Sequence, residues 1–408
     1  MNYLKRLFRS VLPLIFFAIT VLDVFPQLNP IKPDSVLNAR LDALEKAVAD
    51  KKSGESSLVV VGLTTFGYVG SRTVNTFGGI NQTTRSSGFG NGDTYEFSPM
   101  FLFRHGQNLL LEFEPSFNND GLSVNWANIS YFLAPNVIVR GGYFVLPFGM
   151  YSKKLAAAWI NKLATDPMGL PTSADYGIGI SGGLPLGPIK WNYDVSLTNG
   201  FYLLSNGQFQ SDNLSTNGRN KTFCGRVGLL PFSNNSMEIG FSALTGGLAN
   251  GNAQFQNSRI NMFALDLNYV KNINPFQINI KSQYNVVNIT NQNFVNSLDT
   301  TQLYSFHNQT ISGYEQISLR MVGAQNPIIK KLELAFRYGI YNTPTNSSYG
   351  GNNSQVDYGI NYWINWRTVV RGTYEIITTN NTSNNNVISG LPDKSKYYAY
   401  HLQFSVQF

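Results

Sequence analysis

The chain has 408 residues, with 30 Lys and Arg against 23 Asp and Glu, a formal charge of +7. Charged residues make up 13%, about half the share of an average soluble domain, while aromatic residues also reach 13%. An excess of positive charge this small and dilute does not point to nucleic acid, and a single cysteine, Cys224, excludes an intrachain disulfide scaffold.

Residues 1–26 open with Lys5, Arg6 and Arg9, followed by an apolar run broken only by Pro13, Thr20 and Asp23. A basic stretch followed by an apolar one reads as a secretory signal peptide. No small-residue motif marks its cleavage site. A membrane anchor is the alternative; Pro13 and the short length argue against it. Residues 27–57 hold a Pro-containing linker and then Ser35, which can cap a helix. Leu37, Leu41, Leu44 and Val48 follow spacings of four, three and four, a heptad seam flanked by Arg40, Asp42, Glu45 and Lys46. Two heptads are marginal alone. The expectation is a periplasmic coiled coil supporting a homotrimer, against a lone helix under the following domain.

Over residues 58–408, apolar–polar alternation recurs in segments of roughly ten residues, the span of a tilted transmembrane strand. Short connections fall near 104–107, 134–136, 185–188, 231–235, 271–274, 324–327 and 365–367. Longer ones, rich in Asn, Gly and Ser, fall at 71–92, 147–175, 201–220, 246–257, 289–308, 342–354 and 380–393. The connection at 118–121 is short where a long one is due. Alternation of short periplasmic turns and long outer loops predicts an all-β fold: a transmembrane antiparallel β-barrel of about sixteen strands, with both ends of the barrel in the periplasm.

Parity then separates the faces of each strand, because successive side chains point to opposite sides. Leu109, Leu111 and Phe113 leave Glu112 and Glu114 on the other face. The same reading turns Arg140, Asp194, Arg226, Lys281, Glu333, Arg337 and Arg371 inward. A cation at the bilayer midplane costs about 2–4 kcal/mol, so these charges belong to a water-filled lumen. The wall is of mixed sign, with a slight bias toward anions. Paired wall residues without a role in selectivity fit the same pattern.

The connection 147–175 contains a helix-like stretch with Leu155, Trp159 and Leu163 at helical spacing, and with Lys153, Lys154 and Lys162. It suits an inward loop that narrows a pore; an outer lid is the alternative. The residues leading into it, 140–151, read Arg-Gly-Gly-Tyr-Phe-Val-Leu-Pro-Phe-Gly-Met-Tyr. Gly142 followed by Pro147-Phe148-Gly149 resembles the phosphate-selective porin O/P family and the neighbouring DcaP-like porins. The resemblance implies a trimeric sixteen-stranded porin whose inward loop lines the constriction, with a coiled coil ahead of the barrel in the DcaP-like members. Phosphate selectivity in that family rests on dense Arg and Lys arrays, whereas this chain's set is thinner and diluted by acids.

Residues 396–408 place Tyr398, Tyr400, Leu402, Phe404, Val406 and Phe408 on one parity and Ala399, His401, Gln403, Ser405 and Gln407 on the other. This resembles the closing strand of an outer-membrane barrel, whose terminal Phe is part of the assembly signal. Closure predicts that it pairs with residues 58–68.

An enzyme in such a wall needs a nucleophile beside a histidine. His105 and His307 fall in connections, and His401 has wall parity. No phosphate-binding loop, zinc spacing or paired-cysteine motif is present, so no enzyme activity, cofactor, metal or nucleic-acid partner is expected. The expected function is passive diffusion of small hydrophilic or anionic solutes in a bacterial outer membrane, in contact with membrane lipid and lipopolysaccharide. An adhesin or structural barrel whose Asn-rich loops bind a partner is the other reading.

Overall fold

The computed structural model describes residues 55–90, 95–155, 160–171, 174–187, 189–211, 221–232, 234–249 and 253–408. The signal peptide expected over 1–26 lies outside them. So do Trp159 and all but the last three residues of the heptad segment 27–57.

Strands account for most of the described chain. They are β1 (Ser56–Phe77), β2 (two segments, Ile80–Phe89 and Tyr95–His105), β3 (Leu109–Asn118), β4 (Gly121–Ala134), β5 (Val137–Val145), β6 (Ala174–Leu186), β7 (Ile189–Thr198) and β8 (Thr222–Leu230). They continue with β9 (Met237–Gly247), β10 (Arg259–Ile273), β11 (Phe276–Ile289), β12 (Gln309–Arg320), β13 (Leu332–Asn342), β14 (Gly351–Trp363), β15 (Thr368–Asn381) and β16 (Lys394–Gln407). Each pairs antiparallel with its neighbours in chain order, and β16 returns to β1, from Leu63 opposite Gln407 to Thr76 opposite Lys394. The two β2 segments pair with successive halves of β1 and occupy one position in the wall. The result is a closed barrel of sixteen strands.

Closure pairs the spanning strands on both sides, as a lipid-embedded sheet requires. The side chains obey the same logic. Along β10, Phe263 and Leu265 are exposed while Ile260, Met262, Ala264 and Asp266 are buried within the barrel. Leu58, Phe66, Phe113, Ile178, Phe241, Leu334, Ile360 and Phe404 extend the exposed apolar face around the circumference. A continuous outward apolar band would be a liability in water; in a bilayer it is the solvated surface.

Three local expectations change. Of the loop expected at 71–92, the described part, 71–90, is a strand hairpin. β1 runs on to Phe77 and turns through Gly78 and Gly79, with φ of 54° and 84°. Two consecutive positive φ values make a tight hairpin turn that glycine allows at no steric cost. The Asn-, Gly- and Ser-rich composition that suggested a loop belongs to a hairpin whose β2 strand is exposed along nearly its whole length. Second, β16 pairs higher on β1 than residues 58–68, because strands in a tilted barrel are staggered. Phe408 still closes the lower end, exchanging backbone hydrogen bonds with Gly62 at 3.0 and 3.1 Å. Third, the connection after Arg320 is longer than a tight turn and carries a 3-10 turn at Ile329–Lys331. The short link at 118–121 is as expected, with Asn119 and Asp120 joining β3 to β4.

Candidate functional site: the inward segment and the charged lumen

The residues between β5 and β6 enter the barrel through the Gly142 to Gly149 motif. Gly142 has φ of 129°, and a Cβ there would run into the Ala127 carbonyl of β4. Gly149, at φ of 66°, sits against the Gln283 side chain with no room for a Cβ. Both positions need glycine, for backbone conformation and for close approach. Phe148, directly before Gly149, is 1% exposed and anchors the segment in apolar surroundings.

Beyond the motif, backbone groups are captured by inward-facing side chains of the wall. The Gly149 N–H donates to Ser242 Oγ of β9 at 3.0 Å, and the Met150 and Tyr151 N–H groups donate to Gln283 Oε1 of β11 at 2.9 and 3.1 Å. Tyr151–Leu155 forms one wide helical turn. Lys281 Nζ donates to the Ile160 carbonyl at 2.8 Å. Arg371 of β15 donates to the Leu163 carbonyl at 2.7 Å and the Asn161 carbonyl at 3.2 Å. The Ala164 N–H reaches Thr373 Oγ1 at 2.9 Å, Arg337 of β13 reaches the Thr165 carbonyl at 2.9 Å, and the Met168 N–H reaches Gln355 of β14 at 3.0 Å. The Tyr151 hydroxyl, whose pKa burial pushes well up, donates to Asp166 at 2.5 Å and ties the start of the segment to its later part. The segment is therefore folded into the barrel and hung from β9 round to β15.

The predicted lumen charges all lie on the inward face, and most of them are partnered. Arg140 contacts Asp194 at 2.7 Å and lies over the Phe144 ring. Lys153 also pairs with Asp194. Arg226 bridges Asp266 at 2.6 Å and Glu238 at 2.9 Å, and Lys154 joins Glu238 at 2.7 Å. Arg337 and Asp357, both without solvent exposure, pair at 2.7 Å. Glu333 faces Lys162 at 3.6 Å and accepts from Ser318 and from the Trp363 indole, each at 2.7 Å. Burial lowers the pKa of Lys162, with Glu333 opposing the shift; burial likewise lowers that of Lys153, with Asp194 opposing it. Pairing of this kind is what a buried charge needs, since an uncompensated one is costly.

The wall of β2 and β3 differs. Glu112 and Glu114 face the lumen partly exposed. Glu114 accepts from Asn125 at 2.8 Å, and Glu96 of β2 accepts from Ser98 at 2.5 Å and Ser116 at 3.3 Å. Among the described residues no Lys or Arg pairs with any of these three glutamates.

Sequence parity did not show two features. The acceptors Glu238, Asp266 and Asp357 and the carboxamide of Gln283 lie on inward parity, but only the fold brings them to their partners. The other feature is an apolar filling at the outer end of β8–β11. Cys224, Leu244, Ile260, Met262, Val287 and Ile289 face inward there, against Phe201, Leu203, Phe294 and Phe306. These last sit on or beside two short hairpins, Phe201–Leu203 with Phe209–Ser211 and Asn293–Val295 with Leu303–Ser305. A signal existed in residues 262–265, Met-Phe-Ala-Leu, which are apolar on both parities. That pattern marks a strand covered on both faces.

His401 lies on the inward face, 3.3 Å from Glu375. His105 meets Ser56 at 2.9 Å on the exposed lower rim, where β1 pairs with β2.

No protein-family model matches the chain, and no curated protein is detectably similar to it in sequence. Solved structures do match its shape. The anion-selective porin of Comamonas acidovorans superposes with a TM-score of 0.52 at 13% identity, covering 87% of this chain and 100% of the other. The outer-membrane channel DcaP of Acinetobacter baumannii superposes with a TM-score of 0.52 at 10% identity, covering 88% of this chain and 99% of the other. Closed topology, an outward apolar band and these likenesses agree: the chain is a sixteen-stranded, porin-like barrel of the bacterial outer membrane.

Proposed function

We propose that the barrel is a passive diffusion channel for small hydrophilic solutes, anionic ones included, and that the inward segment within residues 147–175 sets its narrowest part. The observation that carries this reading is the series of hydrogen bonds that fixes the segment inside the barrel, from Gly149 on Ser242 to Met168 on Gln355. A segment held at that many points is a fixed restriction and not a loose lid.

Support for anionic solutes comes from the anion selectivity named for the Comamonas acidovorans protein, from the motif resemblance to phosphate-selective and DcaP-like porins, and from Lys153 and Lys154. These two lysines keep 35% and 39% of their side-chain surface in solvent. Opposing them, Glu96, Glu112 and Glu114 have no basic partner among the described residues. With both signs present, the field in the lumen favours neither strongly, and the preference is weak. A dense array of free arginines, which phosphate capture would demand, is replaced by ion pairs. We also propose that the chain works as a homotrimer steadied by the heptad segment over residues 27–57.

Planar-bilayer recordings on purified, heat-modifiable protein test the channel. Stepwise conductance with weak rectification is expected. Its absence at any applied voltage sinks the channel. Deletion of residues 35–52 is expected to lower the oligomer mass or its thermal resistance; an unchanged oligomer refutes the stalk.

A further inference from the structure

The outer wall carries a basic groove at its extracellular end. β1 has 22 residues, about twice what a tilted strand needs to cross a bilayer. A strand tilted by roughly 40° climbs about 2.5 Å per residue along the membrane normal. Leu58, Val60, Phe66 and Tyr68, all on the outward face of β1, therefore span about 25 Å, the height of an apolar band. Arg72 follows on the same face, about 10 Å higher by the same arithmetic.

Two neighbouring strands bring further cations to that level. Arg85 of β2 stands directly opposite Arg72, while Lys396 and Lys394 of β16 stand opposite Val74 and Thr76 of β1. All four cations share the outward parity of Tyr68 and Tyr400. They line a groove of about 960 Å³ together with Tyr398 and Tyr400. Its lower boundary is aromatic: Tyr68 packs edge-on against Phe89 at 5.0 Å and beside Tyr400 at 5.9 Å. An aromatic girdle marks the boundary between hydrocarbon and headgroups, so the cations stand in the headgroup layer.

Among the described residues, none of the four makes a salt bridge. The nearest carboxylate in sequence, Asp393, accepts the Gly78 N–H at 2.7 Å instead. Like charges set opposite each other across a strand pair repel, and Arg72 and Arg85 are set in that way. A cluster of four cations in a concave surface at headgroup height is stabilised by a multivalent anion, and arginine suits phosphate oxygens through its planar fork of donors.

We propose that this groove binds the phosphate groups of a phosphorylated glycolipid of the outer leaflet, with the acyl chains lying down the apolar face below Tyr68 and Tyr400. The proposal rests on the membrane setting of the barrel and is independent of conduction through it.

Native mass spectrometry of the full chain in mild detergent, titrated with bisphosphorylated lipid A, tests the site. Dephosphorylated lipid A and inorganic phosphate serve as parallel probes. The phosphorylated lipid is expected to be retained at least tenfold better than the dephosphorylated one. The combined variant Arg72→Gln, Arg85→Gln, Lys394→Gln, Lys396→Gln is expected to remove that advantage. Its heat-modifiability and conductance should match the parent, because the four residues face away from the lumen. If both lipids are retained equally, or if the variant keeps the preference, the site is refuted. Inorganic phosphate binding as tightly as the lipid would make it a free-anion site and overturn the lipid assignment. Loss of oligomer mass in the variant without loss of lipid preference would make the groove a contact between copies, which also overturns it. Should the combined variant not fold, Arg72→Gln with Arg85→Gln alone is expected to lower retention several-fold, and no change there is equally decisive.

Discussion

Two sets of cations, drawn from the same residue types, sit on opposite faces of one wall. Inside, Arg226, Arg337 and Arg140 are buried and ion-paired with carboxylates of the wall, and Arg371 is satisfied by carbonyls of the inward segment. Outside, Arg72 and Arg85 are exposed, face each other across a strand pair, and have no acidic partner among the described residues. The inner set is self-contained and holds the molecule in shape. The outer set is incomplete without an anion. Burial decides the difference: a desolvated charge must be compensated within the fold, whereas an exposed one can await a partner from the surroundings.

Breaking the inner set gives the largest effect. Arg337→Ala leaves Asp357 buried without its cation and frees the Thr165 carbonyl and hydroxyl of the inward segment. Removal of one partner of a buried pair costs about 3–5 kcal/mol. The folded, heat-modifiable band should therefore be lost at a clearly lower temperature. Replacing both partners, Arg337→Met with Asp357→Leu, should recover much of that loss, since a well-packed apolar pair avoids the desolvation. If the single variant melts like the parent, the lumen pairs are not what secures the segment.

A smaller loss, with a functional readout, comes from Gln283→Leu. The change leaves the Met150 and Tyr151 N–H groups without their acceptor, at about 1–3 kcal/mol for each buried donor left unpaired. Because the wall elsewhere is intact, the barrel should still fold. Single-channel recordings should show higher or noisier conductance as the start of the inward segment loosens. A trace indistinguishable from the parent would separate this anchor from the narrowing of the lumen.

The charged rims of the lumen differ in sign, and that comparison can be sharpened by ion selectivity. Lys153→Glu with Lys154→Glu should move the reversal potential in a salt gradient toward cations. Glu112→Gln with Glu114→Gln should move it toward anions, by less, because the lysine pair changes four charges and the glutamate pair two. Opposite shifts of unequal size are the expected result. Shifts of the same sign would show that these side chains do not face the path of the ions.

Much of the fold was legible because lipid imposes period-2 order on every strand. The inward placement of Arg140, Arg226, Lys281, Arg337 and Arg371 followed from the apolar residues on either side of each. Parity says which face a side chain takes, but not who stands across the lumen, so Asp266 beside Arg226 and Gln283 beside Gly149 came only with the fold. The Gly142 to Gly149 motif was readable as a marker, and the geometry supplies its cause in two positive φ values and two missing Cβ atoms. The hairpin of β1 and the first β2 segment, ending at Phe89, was not readable, because it extends beyond the lipid and loses the alternation on which the reading depended. The apolar filling under the outer hairpins was hidden for the opposite reason: inward residues there, such as Met262 and Val287, meet other protein and not water.

The smallest effect lies on the outer face and depends on the surroundings. Arg85→Gln removes one member of the opposed pair, and cross-strand terms of this kind are worth roughly 0.2–1 kcal/mol. In detergent free of lipid phosphate the variant should be slightly more stable than the parent, since repulsion with Arg72 is relieved. The gain should shrink as salt is raised, because exposed charges are screened within about 10 Å at 0.1 M ionic strength. In the presence of bisphosphorylated lipid A the order should reverse, the parent now being the more stable, because a ligand that binds only the folded state adds its own stabilisation. Melting temperatures of the two proteins in the two media decide the matter. A crossing establishes that the arginine pair is built around an anion. If the variant stays more stable in both media, the opposed arginines are a defect of the exposed hairpin, and the outer set of cations has no more purpose than its exposure allows.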